Sequence, residues 1–166
     1  MRFGTEHKED LSRSDLTMKE MAIDKGGAII DPYGGQADIA ARVIRTVGDA
    51  DKRFAEDGLR MFRACRFAGQ LGYRAADGLT EAIKDNLERV RGLSLERVRG
   101  ELERLLVSPS PSIGLDMFLK SGLAGMSCTV RKDGAKRSVP IMPELLHLDG
   151  MPQNPLYHRY DCWGHI

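Results

Sequence analysis

The sequence predicts an α+β fold that is mostly helical, and three observations predict it. Two short apolar runs near the N-terminus are each closed by Gly or Pro, as short strands are. From about residue 51 the apolar residues recur at helical spacing in successive segments. Cap and stop residues stand where those segments should begin and end. The 166 residues suffice for one ordinary domain or two small ones. Hydrophobic content of 42% with 30% charged residues is that of a water-soluble globular chain.

The elements follow in order. Residues 1–14 are polar and expected to be irregular. Residues 16–23 space Leu16, Met18, Met21 and Ala22 as a helix would, with Asp15 as a candidate N-cap. Residues 28–31 read as a short strand closed by Pro32 and the Gly34–Gly35 pair. Residues 36–42 read as a short helix, and 43–47 as a second strand ended at Gly48. Two strands are not independently stable, so this run reads as the trailing edge of a larger α/β or α+β unit.

Residues 51–71 read as one long helix. Phe54, Met61, Phe62 and Cys65 fall on one side, and Arg53, Glu56, Asp57, Arg60 and Arg63 on the other. Gly72 is its expected stop. Further helices are expected at 78–89 after Asp77, at 95–107 after Ser94, and at 111–120 with Pro111 at its start and Gly122 beyond its end. The 95–107 stripe of Leu95, Val98, Leu102, Leu105 and Leu106 lies opposite Arg97, Glu101, Glu103 and Arg104. Residues 125–140 are weakly patterned. Within them 131–137, RKDGAKR, reads as a solvated loop, with contact to RNA phosphates as the sharper alternative. A short helix is expected over 141–148. Residues 151–166 have no clear period.

Composition excludes several classes. Aromatics are 6% of the chain, too few for a broad base-stacking platform. A net charge of +1 leaves any nucleic-acid argument to local placement of charge. No apolar run reaches membrane-spanning length, and residues 1–13 lack the apolar core of a secretory signal. Cys65, Cys128 and Cys162 have no metal-ligand spacing and read as free thiols of a cytoplasmic protein.

The acid–arginine face of 51–71 admits two readings. One is a solvated face with ion pairs such as Arg53 with Asp57 and Glu56 with Arg60. The other is base recognition, in which a carboxylate accepts from an exocyclic amine and a guanidinium offers a rigid two-donor fork.

Its neighbours favour the second. The run VGDADKRFAEDGLRMFRACRFAGQLGY (47–73) resembles the neck of the bacterial CCA-adding tRNA nucleotidyltransferases and their poly(A) polymerase relatives. The Glu-Asp-x-x-Arg element of that family is matched by Glu56, Asp57 and Arg60. The resemblance implies that Asp57 and Arg60 read the base of incoming CTP or ATP and that Glu56 holds the arginine. Arg63, Arg66 and Phe67 match the supporting arginine-rich stretch. Residues 13–39 resemble the family's end-of-head segment, usually Arg-Arg-Asp-Phe-Thr-Ile-Asn-Ala. Arg13, Asp15 and Thr17 match, and Ser14 and Lys19 depart. That segment implies contacts from Arg13 and Asp15 to the nucleotide's sugar and phosphates. Gly34, Gly35 and Asp38 match a Gly-Gly-x-x-Asp pattern, and Ser94, Glu96 and Arg97 match Ser-x-Glu-Arg further along the neck. Residues 141–166 resemble the entry to a His-Asp-type body domain.

The implied organisation is the C-terminal end of a nucleotidyltransferase head over 1–46, with its two-strand remnant. An all-α, nucleotide-reading and RNA-binding neck follows over 47–124, then the start of a helical body over 125–166. Arg97, Arg99 and Arg104, with Arg89 and Arg91, are candidates for tRNA phosphate contacts. The implied partners are the tRNA acceptor end, ATP and CTP, with Mg2+ held by an Asp-x-Asp pair that precedes this region in the family. Asp24, Asp31 and Asp38 are not that pair. The chain alone is therefore expected to be a non-catalytic fragment or a truncated reading frame, served if at all by a separately encoded head. His158, Asp161 and His165 do not supply enough ligands for a metal site. Tyr157, Tyr160 and Trp163 are expected to pack against a body domain. Two other readings stand: a poly(A) polymerase relative, and a free-standing helical RNA-binding module without chemistry.

Overall fold

The computed structural model describes residues 15–147. The expectations for Arg13 and Ser14, and for Cys162 and the His and aromatic residues of the C-terminal segment, lie outside these residues.

The architecture is mostly helical with three small two-stranded pairings. A 3-10 turn at Thr17–Lys19 leads to β1 (Ala22–Ile23), which pairs antiparallel with β2 (Ile29–Ile30). Residues 16–23 are thus not the expected helix. Asp24 turns the chain by accepting from the amides of Gly26 and Ala28, and Gly27 takes φ 84°. That local hydrogen bonding competes with helix. Helix α1 (Gly35–Ala41) follows, capped from outside by Asp31, whose carboxylate accepts from the amides of Gly35 and Gln36. The Gln36 amide first, and the Gly35 amide with it, hold the Asp31 carboxyl below its ordinary value against the opposing effect of desolvation.

Strand β3 (Val43–Ile44) pairs in parallel with β4 (Arg74–Ala75). The remnant strands therefore do not pair with one another, and the neck is not purely helical. β4 lies some thirty residues downstream and is too short to carry a periodicity. Residues 15–17 also run against 45–47. Thr17 N–H donates to the Arg45 carbonyl and Val47 N–H to the Asp15 carbonyl. This pairing pins Asp15 beside the helices that follow.

The expected helix over 51–71 is two helices, α2 (Ala50–Glu56) and α3 (Leu59–Leu71). The break falls at Asp57-Gly58. Asp57 is extended at φ −149°, and its carboxylate accepts from the Leu59 amide. A Cβ on Gly58 would stand 3.1 Å from the Arg89 carbonyl oxygen, a tight contact that glycine avoids. The signal was present, because an Asp-Gly pair marks a turn even where the apolar period continues across it.

Helix α4 (Leu79–Asp85) is shorter than expected and yields to a 3-10 segment at Leu87–Gly92; its cap position is Gly78, not Asp77. Helix α5 (Leu95–Leu106) is capped by Ser94, which accepts from the Arg97 amide. Helix α6 (Pro111–Lys120) begins on its proline. Residues 125–140, expected as loop and the start of a helical body, form an antiparallel hairpin of β5 (Ser127–Lys132) and β6 (Ala135–Pro140). Asp133 and Gly134 turn it with positive φ at both positions, as a two-residue hairpin turn requires. The short helix expected over 141–148 is a 3-10 segment at Pro143–His147. Among the described residues, no helix is long and apolar enough to cross a membrane.

The core lies between α3, α5 and α6. Phe54, Met61, Phe62, Leu105 and Phe118 are fully buried, and the Phe62 and Phe118 rings meet at 6.1 Å. α3 and α6 cross closely at Gly114, where a Cβ would collide with the Cys65 carbonyl oxygen and with Leu105. Overpacking of this kind costs about 1–3 kcal/mol. Gly114→Ala is expected to lower the urea-unfolding free energy by that amount, and unchanged stability would contradict the close crossing.

Cys65 is wholly buried, and burial pushes its thiol up from 9.0 to about 12. Between those values the unfolded chain has lost the proton that the folded chain keeps. Stability from this group is thus complete below about pH 9 and is lost as pH rises toward 12. Cys65→Ala should flatten the alkaline limb of the stability–pH curve relative to the parent. An unchanged slope above pH 9 would contradict this assignment.

Candidate nucleotide-reading site

The site is built on the α2–α3 junction and faces residues 15–17 on one side and α5 on the other. Its spine is a chain of alternating carboxylates and guanidiniums. Glu56, at the end of α2, pairs with Arg53 at 3.0 Å and with Arg60 at 2.5 Å. Arg60 Nη1 also donates to the Arg53 carbonyl at 3.1 Å. Arg60 Nε meets Asp15 Oδ1 at 2.8 Å, and Arg63 Nη1 meets Asp15 Oδ2 at 2.5 Å. The Asp15 side chain is only 6% exposed. Beyond Arg63 stands Glu101 of α5, also buried. It pairs with Arg66 at 2.6 Å and with Arg104 at 3.4 Å, and lies 3.8 Å from Arg63. Arg66 further donates to Gln70 and lies over the Phe67 ring at 3.9 Å. Lys19 reaches the same ring, at 5.2 Å.

Asp57 stands apart from this spine. One oxygen caps the Leu59 amide, and the other accepts from Arg97 of α5 at 2.8 Å. The Asp57 side chain is 30% exposed and that of Arg97 50%, against 12% for Arg60. An ion pair so open to water contributes little stability and separates at little cost.

The expected solvated face is thus only partly solvated. Glu56 and Arg60 do pair, and Arg53 also turns to Glu56. Arg60, Arg63 and Arg66 are held by buried carboxylates from other segments. The arginines named in these pairs (Arg53, Arg60, Arg63, Arg66, Arg97, Arg104) outnumber the carboxylates (Asp15, Glu56, Asp57, Glu101) by two. Desolvation pulls the Arg63 guanidinium down, but the hydrogen bond and charge of Asp15 outweigh it, and its pKa is raised. The cluster stays cationic at all ordinary pH and suits an anionic ligand.

Sequence reasoning missed Glu101, which was placed on the water-facing side of α5. Three arginines at a spacing of three on α3 were the available signal, because such a row brought indoors needs an acid opposite it. The Gly-Gly-x-x-Asp pattern has a structural use. A Cβ on Gly35 would stand 2.5 Å from the Thr17 carbonyl oxygen, and Asp38 accepts from Thr17 Oγ1 at 2.6 Å and pairs with Arg45. The candidate RNA-contacting arginines Arg99 and Arg104 lie exposed on α5, paired with Glu103 and Glu101.

The chain does contain one Asp-x-Asp, at Asp49 and Asp51, but both are committed to structure. Asp49 caps α2 by accepting from the Lys52 amide, and Asp51 accepts from Asn86. Among the described residues, no three His, Cys, Asp or Glu side chains converge as a metal site would need. These residues do not fit a magnesium centre.

An arginine–carboxylate cluster with excess positive charge at a helix junction suits an anionic ligand. Comparison with known proteins gives the family. Residues 1–45 match the family described as "Poly A polymerase head domain", and residues 76–126 match "Probable RNA and SrmB- binding site of polymerase A". The CCA-adding enzyme of Geobacillus thermodenitrificans (strain NG80-2) is 47% identical over 117 residues, 70% of this chain and 29% of that protein. That of Bacillus pumilus (strain SAFR-032) is 39% identical over 151 residues, 91% of this chain and 38% of that protein. Among solved structures, the Bacillus stearothermophilus CCA-adding enzyme in complex with CTP superposes with a TM-score of 0.69 at 45% identity, over 73% of this chain and 31% of the other. The Thermotoga maritima CCA-adding enzyme complexed with tRNA gives 0.59 at 31% identity, over 71% and 30%. The chain belongs to the CCA-adding tRNA nucleotidyltransferase and poly(A) polymerase family. It spans under a third of the length of the first curated relatives it matches.

Proposed function

We propose that this chain carries the nucleotide-reading and acceptor-RNA-binding part of a CCA-adding tRNA nucleotidyltransferase, with Asp57 and Arg60 reading the base. The observation that carries the reading is the contrast at the α2–α3 junction. Arg60 is locked in place by Asp15 and Glu56, while Asp57 gives one oxygen to the Leu59 amide and the other to an exposed, separable pair with Arg97. A fixed guanidinium beside an available carboxylate is a preorganised reader.

The chemistry selects the bases. Cytosine and adenine each present an exocyclic amine next to a ring-nitrogen acceptor, which suits a carboxylate acceptor beside a guanidinium donor. Uracil and guanine present a carbonyl beside a ring N–H, which would set acceptor against acceptor and donor against donor. An incoming amine would take the Asp57 oxygen now held by Arg97, and Arg97 would be released toward the triphosphate. Arg13 and Asp15 are assigned to the sugar–phosphate side by resemblance; Asp15 would act there by holding Arg60 and Arg63. Arg66 would support the site through Glu101.

The metal-assisted transfer step is not assigned to these residues, because Asp49 and Asp51 are bound into α2 and α4. The test is incorporation of labelled ATP into a tRNA lacking its terminal adenosine. No incorporation is expected from this chain. Incorporation that is lost on Asp57→Ala would support the reading role and overturn the exclusion of transfer chemistry.

A further inference from the structure

The helical arginines of this chain are heavily paired, but the β5–β6 hairpin is not. None of Arg131, Lys132, Lys136 and Arg137 forms an ion pair with a described residue, and Arg131 stands directly opposite Lys136 across the strands. Like charges in that register repel each other, and an anion bound between them would relieve that repulsion. Alternation sorts the hairpin into two faces. Cys128, paired with Val139, is buried in the core. The opposite face carries Thr129 opposite Ser138, and then Arg131 opposite Lys136. At its base lies a polar cleft of about 510 Å³ lined by Arg91, Ser127, Thr129 and Ser138. Thr129 fixes the hairpin to the preceding segment. Its amide donates to the Leu93 carbonyl and its hydroxyl to the Arg91 carbonyl. The ribbon therefore projects from a rigid base, outside residues 76–126 that match the RNA-binding family description.

We propose that this face of the hairpin, with Arg131 and Lys136 as its free cations and Arg91, paired with Glu88 at 2.9 Å, at its base, is an RNA-backbone contact that grips successive phosphates. It rests on the proposed function for the identity of the polyanion, and RNA is the occupant because side chains of one sign with neighbouring hydroxyls match a row of phosphates. The bases would not be read here, since the face carries no aromatic side chain for stacking.

The test is fluorescence anisotropy of the full chain with a labelled tRNA acceptor-stem minihelix across a salt series. The double variant Arg131→Gln, Lys136→Gln is compared with Lys84→Gln, a change at an exposed position of α4. Each phosphate contact contributes nearly one unit to the slope of log affinity against log salt, so the double variant should bind roughly tenfold more weakly, with a slope reduced by about two. Lys84→Gln should change the slope by less than half as much. Both substitutions are at exposed positions, and thermal unfolding should show the double variant at least as stable as the parent, because a repulsion is removed. Parent-like affinity and slope in the double variant, or no RNA binding by the parent at low salt, would overturn the proposal. So would binding to phosphatidylserine vesicles without binding to the minihelix. Nucleotide discrimination by the parent chain is measured separately. If it fails while hairpin-dependent RNA binding persists, the base-reading assignment falls and this one stands.

Discussion

Asp15→Ala is expected to lower the unfolding free energy by about 3–5 kcal/mol, the range for removing one partner from a buried ion pair. Asp15 meets both Arg60 and Arg63, at 2.8 and 2.5 Å. Its removal leaves the mostly buried Arg60 with one fewer counter-charge, while Arg63, about a third exposed, can turn toward water. The loss should therefore fall at the lower end of the range. Asp15→Asn keeps the shape and one acceptor and should cost less. Urea unfolding of the three proteins checks the order. A loss below about 1 kcal/mol in Asp15→Ala would mean that the segment before β1 is not the clamp on α3 described above.

Glu101→Ala is the second large effect, again expected at about 3–5 kcal/mol. Arg66 is 11% exposed and meets Glu101 at 2.6 Å, so its charge would be stranded between α3 and α5 with Gln70 as its remaining acceptor among the described residues. Arg104 is on the surface and would lose little. The pair carries a sharper expectation. Replacing both partners with apolar residues of similar size, Arg66→Met with Glu101→Leu, should restore most of the lost stability, because the cost lies in the orphaned charge and not in a missing attraction. A double variant no more stable than Glu101→Ala would contradict that account.

These two carboxylates also show what could be read from the residues alone. α5 and α6 were legible almost to the residue, because Ser94 and Pro111 mark their starts and each carries a clear apolar stripe. The junction at Asp57-Gly58 was not. The stripe of Phe54, Met61, Phe62 and Cys65 keeps helical spacing across the break, and periodicity outweighed the turn signal. The hairpin was hidden because its alternation sets cations and hydroxyls against few apolar residues, leaving only Asp133-Gly134 to announce it. Strand pairing between β3 and β4 joins residues thirty positions apart and leaves no local trace. For the proposed site, Glu56, Asp57 and Arg60 were singled out by their ordered neighbours. Their division of labour was not, because it depends on which side chains Asp15, Arg97 and Glu101 reach in three dimensions.

That division is the central claim: a clamped Arg60 and an available Asp57 at one helix junction, selective for an amine-bearing base. Its most direct test is a nitrogen-15 NMR titration of this chain, recorded over backbone amides and arginine side chains, with each of the four ribonucleoside triphosphates. CTP and ATP are expected to shift the signals of residues 56–60 and the side chains of Arg60 and Arg97, with UTP and GTP giving much smaller changes at the same places. Asp57→Ala should erase the difference between the two pairs of nucleotides. Equal shifts from all four, or shifts centred on the β5–β6 hairpin with the 56–60 signals unmoved, would contradict the account.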